Sequence, residues 1–394
     1  MSTVGLRIVS DSRKQGFARD PLKVCLVLKD RGWILDKMAT RLTEHLPNWN
    51  VEAEIAYSPL PTVDVNHWML YSDLEGKLYS KNTLAITHVD RPAKLHVLKQ
   101  RLKKVDMGIC MSRMTLEELV LCGIPREKLC FISPAHDGEM TPRRIVIGVT
   151  TQIRPDGAKR EDVLIKMAHT IRLNAFHFEI VGPRWEKVIP HLEAAGATVG
   201  YWPGAYGEDN SEHLRVVHER LLTFDYYLYM GWDEGSMGTL DALAAGIPTI
   251  ITPQGFHLDI NDGITHAFEE SADLCRILQN IVDGRQKRVD SVSELTWDKY
   301  AQFHALAWSA LRNDPVNKNI NVLLHEQDSY RTPLPEFSWR DIAGNDWRVY
   351  ARSPRKVIWE DFSLLFEWYS GTRLHQTQWY RFAKMVKHRL VGRK

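Results

Sequence analysis

Gly231-Trp-Asp-Glu-Gly-Ser-Met-Gly-Thr-Leu-Asp-Ala-Leu-Ala-Ala-Gly-Ile-Pro-Thr-Ile250 is the stretch whose reading decides how this chain folds. The apolar run 225–230 before it reads as a strand that feeds a glycine-bearing turn. The turn opens a helix over 238–245, Gly246 ends that helix, and Pro248 leads into a strand over 248–252. Strand, turn, helix and strand in succession is the repeating unit of parallel α/β architecture. The unpaired N–H groups at a helix start attract anions. Gly235 and Gly238 let a diphosphate approach the chain closely, and Asp241, one turn into the helix, is placed to accept hydrogen bonds from a diol. An ordinary crossover whose acids merely cap and solvate a helix has the same pattern, so spacing alone leaves both readings open.

The same alternation extends outward in both directions. Strands are expected over 24–28, 84–89, 107–112 and 129–133, with helices over 36–46 and 115–121. After residues 134–138 a second series follows: strands over 144–150, 176–181, 197–202, 225–230 and 248–252, and helices over 161–172, 186–195, 212–222 and 238–245. The strand runs are nearly continuous in apolar residues, as expected when helices cover both faces of a sheet. Two doubly wound units, 1–138 and 139–290, joined by a hinge near 134–143, are the simplest topology. A cleft between them is the expected ligand site. Trp297, Tyr300, Phe303 and Trp308 form one stripe of a helix over 295–312. The segment 291–330 is therefore expected to pack back toward the first unit, and 331–394 forms an aromatic and basic tail.

Bulk properties exclude several function classes. At 394 residues the chain exceeds one ordinary core, in keeping with domains of roughly 100–200 residues. It is 44% hydrophobic and 25% charged, a soluble globular balance, and its formal charge of +2 argues against a nucleic-acid partner. Its five cysteines, Cys25, Cys110, Cys122, Cys130 and Cys275, lack the spacing of a zinc or redox pair and sit in apolar runs, which implies a reducing compartment. The start Met1-Ser-Thr-Val-Gly5 lacks the pattern of a secretory signal. No apolar run reaches the ~18 residues of a membrane span. A cytoplasmic protein is expected.

Three further segments carry chemistry. Thr151-Gln-Ile-Arg-Pro-Asp-Gly-Ala-Lys-Arg160 follows the first strand of the second unit and carries three cations, Arg154, Lys159 and Arg160, of which Lys159 and Arg160 also suit a solvated helix start. Val24-Cys-Leu-Val-Leu-Lys-Asp-Arg-Gly-Trp-Ile-Leu-Asp36 is a strand, a turn containing Gly32, and a helix start. It is not a G-x-G-x-x-G fingerprint, which counts against a nicotinamide or flavin cofactor. Thr87-His88-Val-Asp90 ends an apolar strand, where His88 suits either a structural or a catalytic role.

Taken in chain order, these segments resemble the retaining nucleotide-sugar glycosyltransferases of the GT-B fold, of the group 1, family 4-like type. The resemblance spans residues 23 to about 260 and rests on the acidic residue, glycine loop and E-A-x-A-x-G-x-P-x-[IV] segment of that family. It implies two Rossmann-like domains facing across a cleft, with a helical C-terminal extension. It assigns Arg154 and Lys159 to the donor diphosphate, and Gly32 and the Gly235-Ser236-Met237-Gly238 turn to donor binding. Two acids bracket seven residues in the family; Asp233 and Asp241 have that spacing, though both positions are Asp rather than Glu. Asp241 takes the ribose role, while Asp233 and Glu234 share the place facing the donor sugar, with His88 near the attacking hydroxyl.

The implied activity is metal-independent transfer of a hexose-type sugar from a nucleotide diphosphate donor to a glycan or lipid-linked acceptor. The anomeric configuration is retained, in surface polysaccharide or glycoconjugate synthesis. No cofactor is expected, and no D-x-D metal motif occurs in the chain. An epimerase of the same fold acting on nucleotide sugars and an inactive glycan-binding assembly subunit are the alternatives. The tail places Trp379, Phe382, Val386 and Leu390 at helical spacing, with Arg381, Lys384, Lys387 and Arg389 on other faces. A basic amphipathic helix of this kind suits an anionic membrane surface, and equally a helix docked on the protein. Deleting residues 371–394 is expected to release the protein from anionic vesicles in a sedimentation assay; unchanged binding would contradict the membrane role.

Overall fold

The computed structural model describes residues 20–87, 89, 92–204 and 211–313. The described residues form two compact units. One contains those up to Gly138 together with those from Glu294 onward, and the other is Glu139–Ser293.

The first unit is built on a six-stranded sheet of β1 (Leu22–Val27), β2 (Val51–Ala56), β3 (Val65–Trp68), β4 (Lys81–Ile86), β5 (Met107–Cys110) and β6 (Leu129–Phe131). Their spatial order is β2-β1-β3-β4-β5-β6, and every pairing is parallel. Strands β3 and β5 are buried at every residue, whereas edge strand β2 is largely open. This is the burial expected of a sheet covered on both faces. Helices α1 (Ile34–His45), α2 (Pro92–Leu102) and α3 (Arg113–Leu121) make the crossovers. Ser112 caps α3 by accepting the Thr115 N–H at 3.1 Å. At α1 the carboxylate of Asp36 accepts the Gly32 N–H at 3.0 Å and Arg31 at 2.9 Å. The Gly32 amide, followed by the Arg31 guanidinium, holds the Asp36 carboxyl below its ordinary range.

The second unit repeats the plan with β7 (Ile145–Val149), β8 (Phe176–Val181), β9 (Thr198–Trp202), β10 (Tyr226–Tyr229), β11 (Thr249–Ile251) and β12 (His266–Ala267). The order is β12-β11-β10-β7-β8-β9, again parallel throughout. Helices α4 (Glu161–Thr170), α5 (Ile189–Ala194), α6 (Ser211–Leu221), α7 (Met237–Ala244) and α8 (Ser271–Asp290) complete it. Both units are thus Rossmann-like, doubly wound α/β structures.

Helix α9 (Trp297–Asn313) belongs to the first unit, where Trp297, Tyr300 and Trp308 join the core formed by α1 and one sheet face. Its inner stripe meets an unusual polar cluster. His67 and His304 are each 1% exposed, with ring centroids 5.5 Å apart, and Trp308 lies 5.3 Å from His67. The Thr83 hydroxyl connects strand and helix: it accepts the Trp308 indole N–H at 3.1 Å and lies 2.8 Å from His67 Nδ1. His304 Nδ1 donates to the Tyr300 carbonyl at 2.9 Å. Burial drives both histidines toward the neutral form, His67 well below its ordinary value and His304 to about 4.

The unfolded chain therefore binds more protons than the folded one between the ordinary histidine value and the depressed one. The stabilisation is complete above pH ~6.5 and is lost as the pH falls toward 4, by about 3 kcal/mol from His304 alone. Urea midpoints measured from pH 7 to 4.5 should fall steeply for the parent and less steeply for His304→Leu. Equal slopes would remove His304 from the account.

Candidate active site

The second unit winds outward from β7 in both directions, so its crossovers leave in opposite senses between β7 and β10. The loops that follow these two strands leave the carboxyl edge at this reversal, where such sheets take ligands. The sequence-derived candidates of this unit lie on those loops and on α7.

The two loops are tied together by backbone and side chains. Trp232 donates its N–H to the Ala158 carbonyl at 2.7 Å, and the Arg160 guanidinium lies 4.6 Å over the Trp232 ring. Beside them, Lys159 Nζ donates to the Tyr229 hydroxyl at 2.8 Å and to Asp233 Oδ2 at 2.5 Å. Tyr229 in turn donates to Asp233 Oδ1, which also accepts the Gly235 N–H at 3.2 Å. A lysine, a tyrosine and an aspartate thus close a ring of hydrogen bonds at the strand ends. Burial alone would push the Asp233 carboxyl up, but bonds from Lys159, Tyr229 and Gly235 outweigh it and hold it below its ordinary range. Burial, reinforced by Asp233, keeps the Tyr229 phenol protonated.

The turn before α7 is held from beneath by a buried polar chain. The Tyr227 hydroxyl lies 3.0 Å from Thr150 Oγ1 and 2.9 Å from Ser236 Oγ. His257, 1% exposed, accepts the Ser236 N–H on Nε2 at 3.1 Å. An accepting Nε2 requires the neutral Nδ1–H tautomer, and burial keeps the His257 imidazole below its ordinary value. Gly238 is required by this packing, because a Cβ there would lie 2.1 Å from Thr150 Oγ1 and 2.5 Å from the Tyr227 hydroxyl. Gly235 has φ +117°, a left-handed conformation open chiefly to glycine.

These bonds decide which amides remain for a ligand. Gly235 gives its N–H to Asp233, Ser236 to His257, and Thr239 to the Ser236 carbonyl. The N–H groups of Met237 and Gly238 meet no acceptor among the described residues. They stand at the positive end of the α7 dipole.

The remaining candidates are placed as follows. Arg154 is half exposed, pairs with Asp156 at 2.9 Å, and its charge acts on the Tyr229 phenol. Asp241 lies on the exposed face of α7, and Glu234 is exposed with its backbone carbonyl accepting the Phe256 N–H. The Ser236 hydroxyl is committed to Tyr227, so that residue serves the turn through its side chain. Gly32, at φ +86°, belongs to the first unit, in the turn before α1. His88 lies outside the described residues, as do 205–210 and the tail from 314. Tyr227, Tyr229 and His257 were absent from the sequence-derived set. The one hint was two tyrosine hydroxyls two residues apart in an apolar strand, at positions that share a face. Among the described residues, no three of His, Cys, Asp and Glu are grouped as metal ligands.

Neither a scan against protein-family models nor a search of curated proteins finds a match. Solved structures similar to the chain include Anabaena HepE in complex with UDP and glucose, at 12% identity and TM-score 0.26, over 77% of this chain and 98% of that one. The lipopolysaccharide outer core galactosyltransferase WaaB is similar at 11% identity and TM-score 0.29, over 75% and 99%. Sucrose-phosphate synthase from Thermosynechococcus elongatus is similar at 11% identity and TM-score 0.27, over 78% and 98%. At these scores it is the strand orders, rather than the superpositions, that establish the two Rossmann-like units.

Gly238→Ala is expected to lower stability by about 1–3 kcal/mol through overpacking against Thr150 and Tyr227. The double variant Gly238→Ala with Thr150→Gly should recover part of the loss in thermal melts. Absence of any loss in the single variant would refute the packing account.

Proposed function

We propose that the chain is a GT-B-type glycosyltransferase that binds a nucleotide diphosphate sugar at the second unit and transfers the sugar with retention of configuration. The observation that carries this reading is the meeting of Lys159, Asp233 and the α7 N-terminus at the strand-order reversal between β7 and β10. A diphosphate is what these groups suit. An ammonium has three donors, and Lys159 uses two of them on Tyr229 and Asp233, which leaves one for a phosphate oxygen. The Met237 and Gly238 amides supply two more donors, and Arg154 is drawn from Asp156 to the more highly charged ligand. Asp241 accepts from the ribose diol, while Asp233 and Glu234 face the sugar.

In the transfer step the bond between the anomeric carbon and the diphosphate oxygen breaks, its electron pair leaving with the diphosphate. The acceptor hydroxyl oxygen bonds to the anomeric carbon on the same face and gives its proton to the departing diphosphate. The negative charge that grows on the leaving group is met by Lys159, Arg154 and the α7 amides, donors fixed before the reaction begins. No protein nucleophile takes part. Within this reading, a glycan or lipid-linked molecule is the acceptor.

A thermal-shift series with UDP, GDP, ADP and their sugar conjugates tests the donor site, since a ligand of the folded form raises the melting point by mass action. One nucleoside diphosphate should stabilise the parent. Lys159→Ala should weaken that ligand at least tenfold and slow transfer ~100-fold, the usual cost of losing one charge-stabilising donor. Arg154→Ala should act in the same direction. A parent that no nucleoside diphosphate stabilises, or undiminished binding in both variants, would overturn the assignment.

A further inference from the structure

Arg160 stands where local rules ask for another residue. It is the N-cap of α4, with φ +52° and ψ +41°, a left-handed conformation that glycine adopts without a Cβ clash. An N-cap side chain normally accepts a backbone N–H, whereas a guanidinium has only donors, and no side-chain cap forms here. The side chain is nevertheless only 13% exposed, and its Nη1 is buried with no acceptor among the described residues. An unpaired buried donor and a left-handed residue other than glycine both weaken a fold. Helix α4 therefore does not explain this side chain.

What the side chain does is join three loops at the carboxyl edge of the second unit. It leaves from the loop between β7 and α4. Its Nη2 donates to the Glu269 carbonyl at 2.5 Å, between β12 and α8, and lies 3.9 Å from Glu270 Oε1. Its guanidinium carbon lies 4.6 Å from the centroid of the Trp232 ring, in the turn between β10 and α7. Tryptophan offers a guanidinium the best of the aromatic faces. Trp232 is 57% exposed, so apolar packing fixes its ring only in part. The turn is held on two sides. Beyond β11, Gln254 and Phe256 donate to the Gly231 and Glu234 carbonyls, and His257 accepts the Ser236 N–H. Beyond β7, Ala158 accepts the Trp232 N–H, Lys159 donates to Asp233, and Arg160 lies over the Trp232 ring. With Nη1 buried and Nη2 given to a carbonyl, the guanidinium acts through Trp232 rather than on a ligand.

We propose that Arg160 is a positioning residue: stacked on Trp232, it fixes Trp232 and Asp233, and through Asp233 the place of the Lys159 ammonium. The hold on the turn stands on the contacts themselves; its value for sugar transfer rests on the transferase reading. Residue-resolved amide hydrogen exchange on the full chain compares the parent with Arg160→Gly, Arg160→Lys and the double variant Arg160→Gly, Trp232→Ala. Glycine relieves the left-handed backbone, so Arg160→Gly should stay folded with a melting point close to the parent's. Its Trp232 and Gly235 amides should exchange at least ~tenfold faster, while the Ser236 and Phe256 amides keep the parent's rates. Arg160→Lys keeps the charge without the planar stack, and should exchange more like the glycine variant than like the parent. The double variant should exchange no faster at Gly235 than Arg160→Gly does, since both changes remove one contact. With a donor that the parent turns over, kcat should fall about tenfold in Arg160→Gly and the donor KM change less than about threefold. Parent-like exchange at Trp232 and Gly235, equally faster exchange across the whole second unit, additive effects at Gly235, or a loosened turn with undiminished kcat would each overturn the proposal. Faster exchange at these two amides in a parent that neither binds nor turns over any nucleotide sugar supports the hold on the turn and overturns the donor reading alone.

Discussion

A parallel sheet has to be covered on both faces, and the helices that cover it cannot also close its strand ends where the winding reverses. That constraint shapes both halves of this protein. In the second unit the reversal falls between β7 and β10, and in the first between β1 and β3. At each, the loops that follow neighbouring strands bring their side chains to one carboxyl edge. The chemistry differs because the loops differ: a lysine, an aspartate and a helix start in one, tyrosines, a tryptophan and a lysine–glutamate ion pair in the other.

The Lys159–Tyr229–Asp233 ring shows how a charge is kept ready in a half-buried place. An isolated ammonium there would lose hydration without return, and a lone carboxylate would take up a proton. Together each supplies the hydrogen bonds and counter-charge the other lacks, with Tyr229 bridging the two. The second support is the buried chain of Thr150, Tyr227, Ser236 and His257, which fixes the turn so that Met237 and Gly238 keep their amides open. The ring and the chain draw on strand β10, through Tyr229 and Tyr227, two residues apart and so on the same face.

Helix α9 brings the same lesson to the first unit. It belongs to that unit by contact, although the whole of the second unit lies between them in sequence. What fastens it is partly apolar area and partly the stack of His67, His304 and Trp308 around the Thr83 hydroxyl. Two neutral histidines in a dry interface bind well at neutral pH and poorly when protonated, so this attachment carries an acid sensitivity that an all-apolar one would lack.

The amino-acid sequence by itself determined the alternating α/β character, the buried strands β1, β4, β5, β7, β8 and β10, and the glycine turn before α7. Continuous apolar runs and glycines at strand ends are local signals, and the physics behind them is local too. Short β3, whose Asn66 and His67 are buried polar residues, left no such mark, and neither did α8, whose polar positions obscure its core stripe. Tertiary structure alone decided the strand orders, and with them where the reversals fall. It decided that Lys159 meets Asp233, 74 residues away; that Ser236 turns inward; and that Tyr229 and His257 belong to the site. Each of these depends on which strands become neighbours, and that choice is made by packing between segments far apart in the chain, which no short stretch of residues encodes.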